Sequence, residues 1–520
     1  MLKKRRNVLG VVLLLMLSLL LTACGGAESG NKNSGGSSGS AGAKQLNAGV
    51  SFYIASMDAH QDYNGWYTNV YGVTQELFRL NGDHEVEPWL AEDAKVSEDG
   101  RTWTVTVKEN AAFSNGTAVT ADMVVRNLQR AAEVNARFAY LAEFEMSALD
   151  DRTFTITTPE AYPTMKNDLA SPELAIMDLD ESEDLDNAPV CTGPFVVKSF
   201  TSKGDVEVVR NENYWNGAVQ LDSAKFYYMP EDDTKQMALQ KGEIDCYDFA
   251  TAAGKALFEA DPESYTVTTL PASRLQFYIL NEATMDDAVR EAVVKIVDKE
   301  AIVSYLDGTV SMTDGPFAES SAYGKATAPT PDVEGAQQAL EADGYVKNAD
   351  GYYEKDGEEL DLNIAYYAAR SLDTLAILMQ EQLDAAGIRS HLTCEEDPDA
   401  TYIANQDFDL ALYCMIADKA GDPYYFIDST LRDGSYFDVG GFDSAECEAL
   451  IDELQYEGDA DRRAELANEI IQMAIDDNAF SYVGLFNKIT ITKANMSGFA
   501  EHLPYDFYGI DENTTITTEE

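Results

Sequence analysis

Residues 359–396 predict two strands joined by a helix, and no other pattern constrains the fold as strongly. ELDLNIAYY (359–367) alternates apolar and polar residues, as a strand with one buried face does. LDTLAILMQEQLDAAG has apolar residues at helical i, i+3, i+4 and i+7 spacing and ends at Gly387, which suits a helix C-terminus. IRSHLTCEE (388–396) predicts the second strand. A strand–helix–strand unit with a right-handed crossover indicates an α/β fold.

Other segments show either the period-two pattern of a strand or the apolar stripe of a helix. RTWTVTVK (101–108) and TFTIT (153–157) alternate with period two and predict strands. VREAVVKIVDKEAIVSYLDG (289–308) predicts one amphipathic helix, and residues 444–477 predict two helices separated at Gly458. The C-terminal half therefore predicts an α/β arrangement, whereas the N-terminal half is richer in strands and turns.

The N-terminus has the features of an export signal. Residues 3–6 are basic, and the apolar run of about fourteen residues that follows suits a signal peptide but is too short to span a membrane as a helix. The run ends in LTAC (21–24), which resembles the lipobox of bacterial lipoproteins. This resemblance implies removal of a signal peptide, residues 1–23, and diacylation of the Cys24 thiol.

Residues 24–43 consist mainly of Gly and Ser and predict a flexible tether. Attached to a lipid-modified Cys24, such a tether would hold the folded part at the outer face of the bacterial cytoplasmic membrane, in the extracellular or periplasmic space. The roughly 475 residues beyond it exceed what one hydrophobic core normally serves, and they predict two or three domains.

The charge of the chain is strongly negative, with 91 acidic against 37 basic residues. Such a surface argues against binding to nucleic acid and against adhesion to anionic lipid headgroups. Beyond Cys24 the cysteines are odd in number and have no CxxC spacing, so they do not indicate a disulfide framework, although one or two bridges remain open. They are Cys191, Cys246, Cys394, Cys414 and Cys447.

The sequence contains no positive indication of catalysis or of a cofactor. Its four histidines are not spaced as paired metal ligands, and HExxH, GxSxG, phosphate-loop and zinc-ribbon patterns are absent. Carboxylates that only folding brings together would not be visible in a sequence. A surface hydrolase that uses such a pair therefore stays an alternative, although the chain is not expected to be an enzyme.

Three long stretches together resemble the family 5 solute-binding proteins of ABC importers, the group with oligopeptide-, dipeptide- and nickel-binding members. The most specific stretch covers residues 189–245 and contains the TGP turn, the RNENYW segment and the closing GEID. Residues 77–125 and VREAVVKIVDKEAIV (289–303) match two further signatures of the family. The resemblance extends over nearly the whole chain after the tether.

This resemblance implies a two-lobed α/β fold of the periplasmic-binding-protein type, a type II Venus flytrap with a discontinuous N-terminal lobe. Lobe I is expected to comprise residues 45–270 plus 485–520, and lobe II residues 272–484. Residues 274–281 and 480–488 would be the two strands that cross between the lobes and form the hinge. A cleft between lobes can desolvate a small ligand, and the ligand can drive closure by contacting both sides.

The implied function is that of a lipid-anchored, monomeric substrate-binding protein that captures short peptides and delivers them to an ABC permease. A nickel chelate or an opine metallophore is the alternative ligand within the same family. A receptor that reports its ligand to a partner without transport would share every one of these sequence features.

Asp418 is the candidate ligand for a peptide ammonium group. In the peptide-binding branch of the family an Asp just before an acidic residue–Pro pair has this role, and IADKAGDPYYF (416–426) places Asp418 before Asp422 and Pro423, one position further away than in those proteins. An exposed loop residue or a helix N-cap is the alternative interpretation of Asp418.

Two further candidates come from the nickel-binding branch. NARFAYL (135–141) resembles the stretch in which an arginine holds the carboxylates of a metal chelate, and the matching residue is Arg137. A surface arginine on a helix is the alternative interpretation of Arg137. Trp103 matches a cavity-lining tryptophan, although a strand tryptophan is often a core residue. The chain has Ala417 and Tyr436 where that branch has a tryptophan and a metal-ligating histidine, so direct capture of nickel through histidine is not expected.

Overall fold

The computed structural model describes residues 44–418 and 420–517, which belong to one compact unit. The predicted signal peptide, residues 1–23, the predicted tether, residues 24–43, and Cys24 lie outside the described residues. Within the described part, no helix is long and apolar enough to cross a membrane.

Two strands of 16 and 14 residues, β12 and β20, are much longer than the others. In chain order the strands are β1 Gln45–Val50, β2 Phe78–Leu80, β3 Val86–Pro88, β4 Ala91–Val96, β5 Thr102–Val107, β6 Glu145–Ala148, β7 Thr153–Thr157, β8 Phe195–Phe200, β9 Val206–Arg210, β10 Ser223–Tyr228, β11 Cys246–Tyr247, β12 Tyr265–Leu280, β13 Val310–Met312, β14 Val346–Lys347, β15 Tyr353–Lys355, β16 Glu358–Glu359, β17 Asp361–Tyr366, β18 Arg389–Cys394, β19 Leu410–Ile416, β20 Phe480–Lys493, β21 Met496–Ser497 and β22 Thr515–Ile516.

The helices lie between and after these strands. They are α1 Asn64–Val70, α2 Ala121–Val134, α3 Met165–Asp168, α4 Asp232–Gln240, α5 Ala252–Glu259, α6 Asp287–Ile296, α7 Lys299–Tyr305, α8 Val333–Ala342, α9 Leu372–Ala386, α10 Tyr424–Leu431, α11 Ala445–Tyr456 and α12 Ala460–Asp476. Residues Ala136–Glu143 and Pro172–Leu174 are 3-10 helical, and Asp399–Ile403 form a π-helical turn.

One eleven-stranded sheet runs through the described part of the chain in the order β18-β17-β19-β12-β20-β11-β1-β10-β9-β8, with β13 also paired to β20. The long strands β12 and β20 lie at its centre and pair antiparallel from Tyr265–Lys493 to Ile279–Phe480. Their ladder is interrupted between Pro271 and Leu275. The predicted crossing strands, residues 274–281 and 480–488, correspond to parts of these two strands.

The large hydrophobic clusters divide on the two sides of this strand pair. The first core consists of residues between 46 and 246, joined by residues 496–516 from the C-terminal segment. The second core comprises two clusters formed by residues 275–485. A smaller cluster between 238 and 258 packs against Ile489 and Ile491.

The predicted strand–helix–strand unit is confirmed. Strand β17 pairs parallel with β18, and helix α9 connects them. Gly387 ends α9 in a left-handed conformation, with φ of 97°, which costs a glycine least. The strands predicted at 101–108 and 153–157 are β5 and β7, which pair with each other.

The single helix predicted over residues 289–308 is wrong, because the segment forms two helices, α6 and α7. The Asp298 carboxylate accepts a hydrogen bond from the Ala301 amide and thereby begins a new helix. Val297 before it has extended backbone and ends α6. The break predicted within 444–477 is confirmed, and Asp459 caps the second of its two helices in the same way.

The five cysteines of the described part, Cys191, Cys246, Cys394, Cys414 and Cys447, are all free thiols. Four of them are buried and Cys394 is exposed. Hydrophobic packing and the continuous sheet, rather than disulfides, therefore stabilise the described fold.

Candidate functional site

A cavity of about 860 Å³ lies between residues of the first core and residues of the second core, and β12 contributes Ser273 and Arg274 to it. The first-core side supplies Ser51, Phe52, Tyr63, Trp66, Tyr67, Arg137, Ala170, Ser171, Pro172, Glu173, Asp506 and Phe507. The opposite side supplies Arg370, Tyr413, Cys414, Met415, Ile416, Asp418, Ala420, Tyr425 and Phe437, and Phe249 completes the lining.

Aromatic rings form much of the wall. The Trp66 and Phe507 rings lie 5.1 Å apart between centroids in an edge-to-face arrangement, and the Phe52 and Tyr67 rings lie 4.3 Å apart. Tyr425 and Phe437 line the facing side. Rigid aromatic surfaces of this kind can pack against the apolar parts of many ligands.

Arg137 lies in this wall with a carboxylate beside it. Its Nη1 is 2.6 Å from Oε1 of Glu173, a side chain that is only 1% exposed. The guanidinium carbon lies 4.2 Å from the centre of the Tyr63 ring, and the Trp66 indole donates a hydrogen bond to the same Glu173 oxygen. The predicted residue therefore faces the cavity, and Glu173 already neutralises its charge.

Asp418 also lines the cavity, but both of its carboxylate oxygens have partners. Nδ1 of His84 lies 2.6 Å from Oδ2, and the Tyr505 hydroxyl donates to Oδ2 at 3.0 Å. The Gly421 amide donates to Oδ1 at 2.7 Å. His84 and Tyr505 belong to the first-core side, so Asp418 joins the two sides of the cavity.

Three other charged residues of the cavity, Arg274, Arg370 and Asp506, were not predicted from the sequence. None of them forms an ion pair with a residue in the described ranges. Burial lowers the pKa of Arg274, and the positive charge of Arg370 lowers it further. Burial likewise raises the pKa of Asp506, against the opposing effects of Arg274 and Lys488. The cavity therefore contains charges of both signs that form no ion pair in the described ranges, and among them Arg274 and Asp506 attract each other.

The location of Arg370 could have been inferred, because it follows the carboxyl end of β17, where ligands of open α/β sheets bind. Arg274 lies inside a strand predicted as part of the hinge, and Asp506 lies in a C-terminal segment with no recognisable pattern. Only folding brings these two residues to the cavity.

Trp103 is outside the cavity lining that the described residues form. It lies in β5 with its side chain buried, and its indole N–H donates to the Tyr162 carbonyl at 2.9 Å. Alternate residues of β5 point into the first core, which accounts for the burial of Trp103 together with Val105 and Val107. The structure thus brings Arg137 and Asp418 together and places Trp103 elsewhere.

Among residues 44–418 and 420–517 no group of three His, Cys, Asp or Glu side chains could hold a metal ion. Tyr436, at the position of the nickel-branch histidine, is 60% exposed and lies outside the described lining of the cavity.

The sequence matches the profile described as bacterial extracellular solute-binding proteins, family 5 Middle, over residues 85–438. It is 24% identical to the nickel-binding protein NikA of Staphylococcus aureus, with 86% of this chain and 89% of that protein aligned. It is 23% identical to the dipeptide-binding protein DppE of Bacillus subtilis, with 83% and 84% aligned.

The structure resembles a solved nickel ABC transporter structure from Bacillus halodurans. The TM-score is 0.82 at 27% sequence identity, and the superposition covers 91% of this chain and 100% of the other. The similarity thus extends across both cores and the cavity between them.

Proposed function

Because the chain belongs to the bacterial extracellular solute-binding proteins of family 5, the two-lobed substrate-binding components of ABC importers, we propose that it captures short peptides. The peptide would bind in the cavity between the lobes, and the closed form would be delivered to the permease. Members of this family bind solutes and are not enzymes. The proposed lobes are residues 45–270 plus 485–520 and residues 272–484.

The observation that carries the peptide proposal is the presence in one cavity of charges of both signs that form no ion pair in the described ranges. Arg274 and Arg370 are positive, and Asp506 is negative. A peptide presents an ammonium and a carboxylate group, and each loses its hydration when the cleft closes. An opposite charge in the wall offsets that loss. The aromatic wall offers surface for side chains of differing shape, as a transporter of peptides requires.

A nickel chelate is the second candidate ligand. It is favoured by the similarity to proteins named for nickel and by Arg137, whose five guanidinium donors can serve a ligand carboxylate besides Glu173. Since the described residues offer no metal-ligating cluster, the metal would enter as a complex whose carboxylates contact Arg137.

We further propose that the protein works at the membrane surface as a lipid-anchored monomer. The LTAC sequence and the Gly/Ser-rich tether after it support this placement. In the native host, replacement Cys24→Ser should release the protein from the membrane fraction into the soluble fraction. Retention of the variant in the membrane would contradict the anchor without affecting the ligand proposal.

The ligand proposal is tested by calorimetry on the purified protein with two sets of probes. Di- and tripeptides form the first set, and nickel complexes of histidine and of an opine metallophore form the second. Peptide binding at micromolar concentration or below supports the proposal, and binding of the nickel complexes alone supports the second candidate. Binding of neither set would contradict both.

A further inference from the structure

We propose that Asp506 is the residue that binds the ligand ammonium group, and that Asp418 instead holds the two lobes together. This assignment rests on the proposed function, because it names the ammonium site within the same cavity. It also defines the substrate class more narrowly, as short peptides that carry a free N-terminus and an acidic side chain.

The carboxylate of Asp418 already accepts hydrogen bonds from other residues of the protein. Its Oδ2 receives hydrogen bonds from His84 and Tyr505, and its Oδ1 receives one from the Gly421 amide. Its side chain is only 11% exposed, so a ligand ammonium would have to displace groups that are already well placed. Because the contacts of Asp418 cross the cavity, losing them would also separate the lobes.

Asp506 has the opposite properties. It lines the cavity, and its carboxylate forms no ion pair and no hydrogen bond to another side chain of the described ranges. The nearby cation Lys488 is 1% exposed and uses its ammonium on the carbonyls of Ala500 and Tyr505. Arg274 and Lys488 act on Asp506 only through their electrostatic attraction, and neither forms an ion pair with it in the described ranges. Burial of this carboxylate is therefore only partly compensated, and a ligand cation that contacts it directly would offset the remaining cost.

Arg274 and Arg370 provide positive charge for a ligand carboxylate in the same cavity. They lie close enough for the charge of Arg370 to disfavour that of Arg274, and a carboxylate between two guanidinium groups relieves such repulsion. The lining also contains Arg137, which is paired with Glu173, and Asp418, which accepts hydrogen bonds from His84, Tyr505 and Gly421. The lining charges that make no such contact in the described ranges are two cations, Arg274 and Arg370, and one anion, Asp506, and they favour a ligand with one more carboxylate than ammonium. A short peptide with a glutamate or aspartate side chain has this charge.

The test compares two tripeptide libraries that contain an acidic residue, one with free N-termini and one N-acetylated, and adds a third library with free N-termini and no acidic residue. The full-length chain is purified in detergent, and retained peptides are quantified by native mass spectrometry with wild type, Asp506→Asn and Asp418→Asn. The exposed residue change Asp443→Asn is the control. Thermal melting of each variant establishes that it is folded.

We expect N-acetylation to weaken retention by wild type about 100-fold, the loss typical of truncating a buried charge pair. Asp506→Asn should weaken retention of the library with free N-termini by a similar factor and leave retention of the acetylated library unchanged. Asp418→Asn should weaken retention of both libraries by the same factor, because this change affects closure of the cleft and not the contact with the ammonium group. A tripeptide library without acidic residues should be retained at least tenfold less than the acidic one.

Several results would overturn the assignment. If N-acetylation weakened retention by Asp506→Asn as much as by wild type, Asp506 would not meet the ammonium. If only Asp418→Asn became insensitive to N-acetylation, Asp418 would be the ammonium site. If wild type retained neither library, the proposed peptide function would fail and this assignment with it, whereas the first two results leave that function intact.

Discussion

Nδ1 of His84 lies 2.6 Å from Oδ2 of Asp418, and these two residues are 334 positions apart in the chain. His84 stands in a left-handed conformation, with φ of 65°, in the turn between β2 and β3. Asp418 follows β19 on the facing side of the cavity. The contact therefore joins a turn on the first-core side of the cavity to a loop on the opposite side.

Replacing His84 should loosen this contact. A hydrogen bond to a charged group contributes about 2 kcal/mol, so His84→Ala should shift the ligand-free protein toward an open form. Small-angle scattering should then give a larger radius of gyration than for wild type. His391→Ala is the matched control, since His391 is exposed and contacts Asp361 within one lobe. An unchanged radius in His84→Ala would show that the contact does not restrain the lobes.

Binding of the free C-terminal carboxylate of a peptide should depend on Arg274 and Arg370. Arg274→Gln and Arg370→Gln should each weaken the binding of a free peptide by about 10- to 100-fold, because a charge-assisted hydrogen bond is lost. Binding of the C-terminally amidated form of a peptide without an acidic side chain should change little. Arg389→Gln, which removes an exposed ion pair with Glu359, serves as control. Equal loss for amidated and free peptides would argue against a carboxylate site.

Trp103 should matter for stability and not for ligand affinity. Trp103→Ala removes a side chain that is 6% exposed and should cost about 3–5 kcal/mol in free energy of unfolding. Trp103→Phe should cost less. Denaturant unfolding gives the first quantity, and calorimetry on the folded fraction gives the affinity. A tenfold loss of affinity in a stable Trp103→Phe protein would restore the ligand role predicted for this residue.

His60 should make stability depend on pH. Burial lowers the pKa of His60 from 6.5 to about 4, while its bond to the Ala175 carbonyl opposes this and Arg130 adds to it. Between these values the unfolded chain binds a proton that the folded chain does not, so stability falls as the pH falls from 6.5 to 4.

The loss attributable to His60 is about 3 kcal/mol over this interval. The free energy of unfolding of His60→Gln should differ less between pH 7 and pH 4.5 than that of wild type. Urea unfolding at both pH values measures this difference. His391→Gln should keep the wild-type difference. Identical pH dependence in wild type and His60→Gln would contradict the neutral, buried state of His60.

The periodic patterns of the sequence are sufficient to predict those helices and strands whose apolar faces are regular. Strand β17, helix α9 and strand β18 follow directly from them, and Gly387 marks the helix end. The break between α6 and α7 was missed because the apolar stripe continues across it. There the decisive interaction is local, the capping hydrogen bond of Asp298.

The candidate site was predictable only where a motif of the family contains the residue. Arg137 and Asp418 belong to such motifs and line the cavity. The residues that decide their roles, Glu173 and His84, could not be recognised, because neither has a sequence neighbour that points to the contact. The position of Asp506 at the cavity likewise could not be predicted, because it depends on the return of the C-terminal segment to the first core.

The interruption in the central strand pair has a mechanical consequence. Between Pro271 and Leu275 strand β12 makes no ladder pair with β20, and proline has no amide hydrogen to offer there. The two long strands can therefore change their mutual angle at this point without breaking a ladder pair between them, while Ser273 and Arg274 of β12 stay bonded to β19 and the residue after it. Bending of the long strand pair would then be concentrated in the short stretch of β12 between Pro271 and Leu275.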